Sequence, residues 1–150
     1  MTRDEDALRM LAEVEAANAD LAERAKAPTW YHPALGLLIG GMVAVQGLPI
    51  IGKIGCYLVF AAGLSLLIRA YKRHTGMWIN GYRAGRTRWV AVGLALITML
   101  CMLIAVWLER ERGLTYAPLA FGAIVAVIVT IGGFVWEAAF RADLRDGDPR

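Results

Sequence analysis

Apolar and polar positions divide the chain into a polar N-terminal segment and four long uncharged stretches. The uncharged stretches cover residues 34–48, 54–68, 89–108 and 114–136. A membrane-spanning helix needs about 20 predominantly apolar residues, and the first two stretches approach this length when their neighbours are included. The pattern therefore predicts an all-α integral membrane protein, a four-transmembrane-helix bundle with spans at about 33–48, 51–71, 89–108 and 116–137.

The N-terminal segment, residues 1–27, is predicted to form a cytoplasmic amphipathic helix. Thr2 and Glu5 have the spacing of a capping box, and Pro28 ends the helix. Apolar residues then recur every three or four positions, at Ala7, Met10, Leu11, Val14, Ala17, Leu21 and Ala25.

The polar face of this segment is acidic, with a net charge of −3 by count. Helices that lie on anionic lipid favour Lys and Arg on their polar face, so the acidic face argues against lipid binding. Two interpretations stay open, a coiled coil between subunits and docking on the protein's own basic loop. Residues 28–140 form the predicted membrane domain, and residues 141–150 form a cytoplasmic tail.

Composition supports a membrane protein. The chain has 150 residues, of which 58% are hydrophobic and 19% charged, and its mean hydropathy is +0.50. Soluble domains have about 45–50% apolar and about 25% charged residues, so this composition argues against a soluble enzyme or a DNA-binding domain. Cys56 and Cys101 lie in apolar stretches, which favours buried thiols over a disulfide.

The distribution of Lys and Arg predicts the orientation. The N-terminal segment, the connection between the second and third spans, and the tail hold thirteen of the sixteen basic residues, and the other two connections hold three. Because cytoplasmic segments are enriched in Lys and Arg, both termini are predicted to lie in the cytoplasm of a bacterial inner-membrane protein.

The connection between the second and third spans, the basic loop at about 72–88, is the most distinctive cytoplasmic feature. The charges could serve topology alone, or they could bind anionic lipid headgroups, the acidic N-terminal helix or a partner protein. Nucleic acid is disfavoured because no recognition fold accompanies the patch. Asn80 and Gly81 have the sequence of a hairpin turn. The candidate partner- and lipid-binding residues are Arg69, Lys72, Arg73, Trp78, Arg83, Arg86 and Arg88.

Polar residues within the predicted spans are few, and none near the centre of a span is ionisable. Gln46, Ser65 and Thr130 would line any pathway for a solute, although helix packing is the commoner role of such residues. Glu137 ends the fourth span, and Arg141 follows at the spacing of a helical ion pair, which is the pairing we expect.

Small residues recur at intervals of four, which allows close approach between membrane helices. The candidate packing residues are Gly36, Gly40, Ala44, Gly122 and Ala126. His32 and His74 are expected to anchor the chain at the membrane interface, because neither has the neighbouring Cys or carboxylate spacing of a metal site. No catalytic residue, metal or cofactor is predicted.

Three features together carry a resemblance: the acidic N-terminal helix, the sequence Trp-Tyr-His-Pro at 30–33, and Arg-Ala-Tyr-Lys-Arg-His-Thr-Gly-Met-Trp at 69–78. The chain resembles small four-span bacterial inner-membrane proteins with an N-terminal cytoplasmic helix, to which no activity is assigned. Its topology also resembles that of small multidrug transporters. Those proteins carry a membrane-embedded Glu in the first span, where this chain has only Gln46.

The sequence therefore predicts a non-enzymatic integral membrane protein that acts as an accessory, scaffold or regulatory subunit through its N-terminal helix and basic loop. The expected partners are the lipid bilayer, with its anionic headgroups, and a second copy or another membrane protein. The alternative is a small oligomeric transporter or pore with a path past Gln46, Ser65 and Thr130.

Overall fold

The computed structural model describes residues 3–24, 26–76 and 86–145, and these residues are almost entirely helical. The five α-helices are α1 (Arg3–Arg24), α2 (Tyr31–Ala44), α3 (Ile50–Thr75), α4 (Arg86–Arg112) and α5 (Ala117–Arg145), and a short 3-10 turn (Val45–Gly47) follows α2. The all-α prediction is therefore confirmed.

Proline and glycine set the helix ends. Pro49 lies before the first residue of α3 in an extended conformation, where its missing N–H costs no helical hydrogen bond. Gly76 ends α3 with a φ of 69°, and its N–H donates to the carbonyl of Lys72. Gly113 follows α4 with a φ of 67°. Both glycines adopt the left-handed conformation that L side chains disfavour.

Three helices, α3, α4 and α5, are long and apolar enough to cross a membrane. They carry many exposed large apolar side chains, among them Leu58, Leu96 and Leu119. Exposure of this much apolar surface to water is unfavourable, whereas its contact with lipid is favourable. The chain is therefore compatible with a multi-pass membrane protein.

The prediction of four spans is not supported by helix length. The first predicted span, 33–48, corresponds to α2, which has only 14 residues and is about 21 Å long. The α-helix ends at Ala44 because the backbone changes to a 3-10 turn. The backbone is then extended at Leu48, the residue before Pro49.

The contacts among the described helices also do not support the predicted four-helix bundle. They lie in the order α3, α2, α5, α4, with α5 between α2 and α4 and with α3 packed mainly against α2. The buried core lies among α2, α4 and α5, at Val43, Ala105, Val125 and Val129. This order leaves most of α3 uncovered and makes the contact between α2 and α5 the main contact of the fold.

Candidate functional site

Small residues bring α2 and α5 into direct backbone contact. A Cβ added at Gly40 would lie 2.4 Å from the carbonyl oxygen of Gly122, and one added at Gly122 would lie 2.7 Å from the Cβ of Ala44. A Cβ added at Gly36 would lie 2.5 Å from the carbonyl oxygen of Ala126. All five candidate packing residues therefore lie in this one contact, which runs antiparallel.

At one end of this contact, two ionisable side chains meet out of reach of solvent. His32, near the start of α2, is 4% exposed, and Glu137, near the end of α5, is 7% exposed. Nε2 of His32 lies 2.8 Å from Oε2 of Glu137, although the two residues are 105 positions apart. Burying ionisable groups is costly, so a buried pair of this kind is a functional-site candidate by default.

Aromatic rings hold the imidazole in place. The ring centroid of His32 is 4.8 Å from that of Phe134 and 5.4 Å from that of Tyr31. Tyr31 in turn packs against Tyr71 of α3, at 4.9 Å between ring centroids. A Cβ added at Gly133 would lie 2.4 Å from Nδ1 of His32, so this glycine makes room for the ring.

This pairing corrects one expectation from the sequence. Glu137 bonds to His32 of another helix, and the expected partner Arg141 instead has a buried Nε without a hydrogen-bond partner among the described residues. His32 is buried between helices, and its location at the membrane interface stays a prediction.

A signal for the pair exists in the sequence. Antiparallel alignment of the small-residue motifs, with Gly40 opposite Gly122 and Ala126, places His32 opposite residues 130–134. Side chains on a helix tilt toward its N-terminus, which for His32 means toward Glu137.

The three candidate pathway residues do not meet. Gln46 donates from Nε2 to the hydroxyl of Tyr57 at 2.9 Å and to the carbonyl of Met42, while Ser65 is exposed on α3 and donates to the carbonyl of Ala61. Thr130 donates to the carbonyl of Ala126 beside Gly36, which lies ten residues, or about 15 Å, from Gln46 along α2 and the 3-10 turn.

Gln46 lies instead at the opposite end of the α2–α5 contact from His32. There it borders a cleft of about 260 Å³ that is also lined by Lys53, Glu109 and Arg110. A second cleft, of about 230 Å³, lies between α2 and α3 and has an apolar lining that includes Leu38, Met42 and Phe60. Neither of these clefts contains both Gln46 and Thr130.

Part of the predicted basic loop lies on helices. Arg69, Lys72 and Arg73 are exposed on the last turns of α3, and Arg88 is exposed on the first turn of α4. Arg86 begins α4. Trp78, Arg83 and the predicted turn at Asn80 and Gly81 lie outside the described residues.

Among the described residues, no group of three or more His, Cys, Asp or Glu side chains is arranged to hold a metal ion. The His32–Glu137 pair is itself a hydrogen-bonded acid and base. Comparisons with protein-family models, with curated proteins and with solved structures found no match to this chain.

Proposed function

We propose that the chain is a non-enzymatic protein of the bacterial inner membrane that acts as an accessory, scaffold or regulatory subunit. In this proposal, α1 and the exposed basic residues beside the α3–α4 connection bind the partner. The observation that carries the proposal is the apolar stripe of α1, which the other described residues leave exposed.

The stripe consists of Leu8, Met10, Leu11 and Val14. Leu8 is 67% exposed and Leu11 is 60% exposed, and the other two are exposed to a similar degree. A contiguous row of large apolar side chains on a polar helix favours contact with another surface. Since the other face of α1 is acidic, anionic lipid is disfavoured and a protein surface is the better occupant.

The basic residues offer a second contact surface, whose charge is opposite to that of α1. Arg69 and Arg73 are exposed at the end of α3, and Arg88 is exposed at the start of α4. Clusters of this kind next to membrane helices bind anionic headgroups or acidic protein surfaces. The proposal assigns this patch to lipid headgroups and to the acidic side of a partner.

We further propose that α2 and the 3-10 turn cross the membrane as a short fourth span. His32 lies beside Gly133, Gly40 beside Gly122 and Gly47 near Pro118, so this segment follows α5 from about residue 133 to residue 118. Fifteen helical rises amount to about 23 Å, which is shorter than the hydrocarbon thickness of about 30 Å, and local thinning of the bilayer accommodates a short span of this kind.

Four crossings place α1, the basic residues and the C-terminal tail on the same side of the membrane. The excess of Lys and Arg in these segments assigns that side to the cytoplasm. The two proposed binding surfaces could then act on one partner.

Site-specific photo-cross-linking tests the proposal. A photoreactive amino acid at Met10 is expected to form a discrete adduct with a protein in native host membranes. Exchanging the neighbouring stripe residues, in the variant L8Q/L11Q/V14Q, should remove the adduct because the apolar contact is lost.

The matched control is D6N/R9Q/E13Q, which alters three exposed residues of the other face of α1. This control should retain the adduct. An adduct that survives in L8Q/L11Q/V14Q, or the absence of any protein adduct at Met10, contradicts the proposal.

A further inference from the structure

The buried His32–Glu137 pair has no part in the partner contacts proposed above, yet it is the most strongly built polar feature of the described membrane helices. It joins two helices through a hydrogen bond of 2.8 Å, and both side chains are more than nine-tenths buried. An ionisable pair in this setting needs an explanation beyond helix packing, because a buried apolar contact would serve packing at lower cost.

The second nitrogen of the imidazole supplies a further observation. Nδ1 of His32 is buried and has no hydrogen-bond partner among the described residues. An ionised Glu137 can only accept a hydrogen bond, so Nε2 must carry the donated proton. In the neutral ring, Nδ1 is then a bare acceptor held in a fixed position.

We propose that the His32–Glu137 pair is a buried proton-binding site in which Nδ1 of His32 reversibly takes up one proton. The proton donor is hydronium: one of its O–H bonds breaks, leaving water, as the N–H bond forms at Nδ1, and Nε2 keeps its hydrogen bond to Glu137. The pair changes from a neutral imidazole with a carboxylate to an imidazolium with a carboxylate. Its net charge therefore changes from −1 to 0.

The carboxylate provides the charge that the proton would face. A negative charge 2.8 Å from the ring attracts the imidazolium, and the surrounding aromatic residues exclude the water that would screen it. Histidine is also the side chain that most readily changes its charge near neutral pH.

The groups facing the pair leave this assignment intact. Tyr31 comes from α2, and Tyr71 of α3 interacts electrostatically with Tyr31 and Glu137. Arg141 lies one turn beyond Glu137 on α5, and the first turn of α4 carries the buried, uncharged Thr87 and the exposed Arg88. On α1, which also packs against α5, the described charged side chains Asp6, Arg9, Glu13 and Asp20 are exposed.

Because of the position of the site, proton uptake would affect the packing of the fold. Because the two residues come from α2 and α5, protonation changes the electrostatic part of the contact that positions α2. The proposed site therefore links proton uptake to the pairing of the short helix with α5.

The chain offers a direct test because it contains only two histidines, His32 and the exposed His74. In the variant His74→Asn, ¹⁵N-labelled histidine reports on His32 alone. Solid-state NMR of this variant in lipid bilayers should show Nδ1 changing from a bare to a protonated nitrogen between pH 8 and pH 5. Nε2 should stay protonated throughout.

The variant Glu137→Gln in the same background keeps a hydrogen-bond acceptor but removes the charge. The response of the Nδ1 signal to pH should then differ from that of the parent, because the charge beside the ring is removed. The proposal is overturned if Nδ1 keeps one state from pH 8 to pH 5, if Nε2 is the nitrogen that titrates, or if Glu137→Gln titrates like its parent.

Discussion

At the scale of single residues, Glu137 shows what local sequence reasoning misses. The spacing to Arg141 indicated an ion pair within one helix, whereas the carboxylate bonds to His32 on another helix. Local spacing identifies which residues share a helix face, but it does not tell which neighbouring helix that face meets. The register of α2 on α5 decides the partner, and only the small-residue motifs carry that register in the sequence.

Removal of the carboxylate should destabilise the protein. Glu137→Ala leaves Nε2 of His32 buried without its acceptor, and an unsatisfied buried polar group costs about 1–3 kcal/mol. Thermal unfolding in detergent micelles, followed by circular dichroism, should show a lower midpoint.

The control for this measurement is Glu111→Ala, which removes an exposed carboxylate at the end of α4. Substitutions at exposed sites of this kind usually change stability by less than about 0.5 kcal/mol. Equal midpoints for the two variants would show that the His32–Glu137 bond does not stabilise the fold.

At the scale of elements, the long uncharged stretches predicted the long helices well. The predicted spans 51–71 and 89–108 lie within α3 and α4, and the predicted span 116–137 begins one residue before α5. Their ends were less accurate, because charged residues such as Lys72, Arg73 and Arg110 continue the helices beyond the apolar stretches. The first predicted span has a short apolar stretch, and the structure forms α2 and a 3-10 turn there.

The contact between α2 and α5 gives a matched pair of variants. Gly40→Ala would place a Cβ 2.4 Å from the carbonyl oxygen of Gly122, whereas Gly41→Ala, on the adjacent face, meets no atom within 4 Å. Gly40→Ala should cost about 1–3 kcal/mol through overpacking. Gly41→Ala should be neutral or stabilise α2 by up to about 1 kcal/mol, since Ala favours helix over Gly.

Thermal unfolding of both variants under the same conditions checks this difference. A midpoint for Gly40→Ala at or above that of Gly41→Ala would mean that the two helices do not approach as closely as described.

At the scale of the whole molecule, the sequence indicated the class of protein but not the order of its helices. An amphipathic or apolar pattern shows that a helix is buried in lipid or protein, yet it does not specify its neighbours. The open order α3, α2, α5, α4 follows from the exceptionally close contact at Gly40 and Gly122, which draws α2 onto α5. The proposed binding surfaces, α1 and the basic residues, likewise have partners that this sequence alone does not specify.

The separation of Gln46, Ser65 and Thr130 has a consequence for transport. Because no cleft among those described joins Gln46 to Thr130, proteoliposomes containing the protein should release protons and monovalent ions no faster than protein-free liposomes. Fluorescence of an entrapped pH indicator and of an entrapped ion indicator measures both rates. Flux that is lost in Gln46→Leu would favour the transporter alternative.

The central claim is that α2 crosses the membrane, so that α1 lies on the same side as the basic residues. With three crossings, α1 would instead share a side with the α4–α5 turn. In a background lacking Cys56 and Cys101, single cysteines at Ala7, Arg73 and Thr115, all exposed positions, distinguish these arrangements. In right-side-out membrane vesicles, a membrane-impermeant maleimide should label the Thr115→Cys variant immediately, and the Ala7→Cys and Arg73→Cys variants only after permeabilisation. Immediate labelling at position 7 together with position 115 would contradict the account.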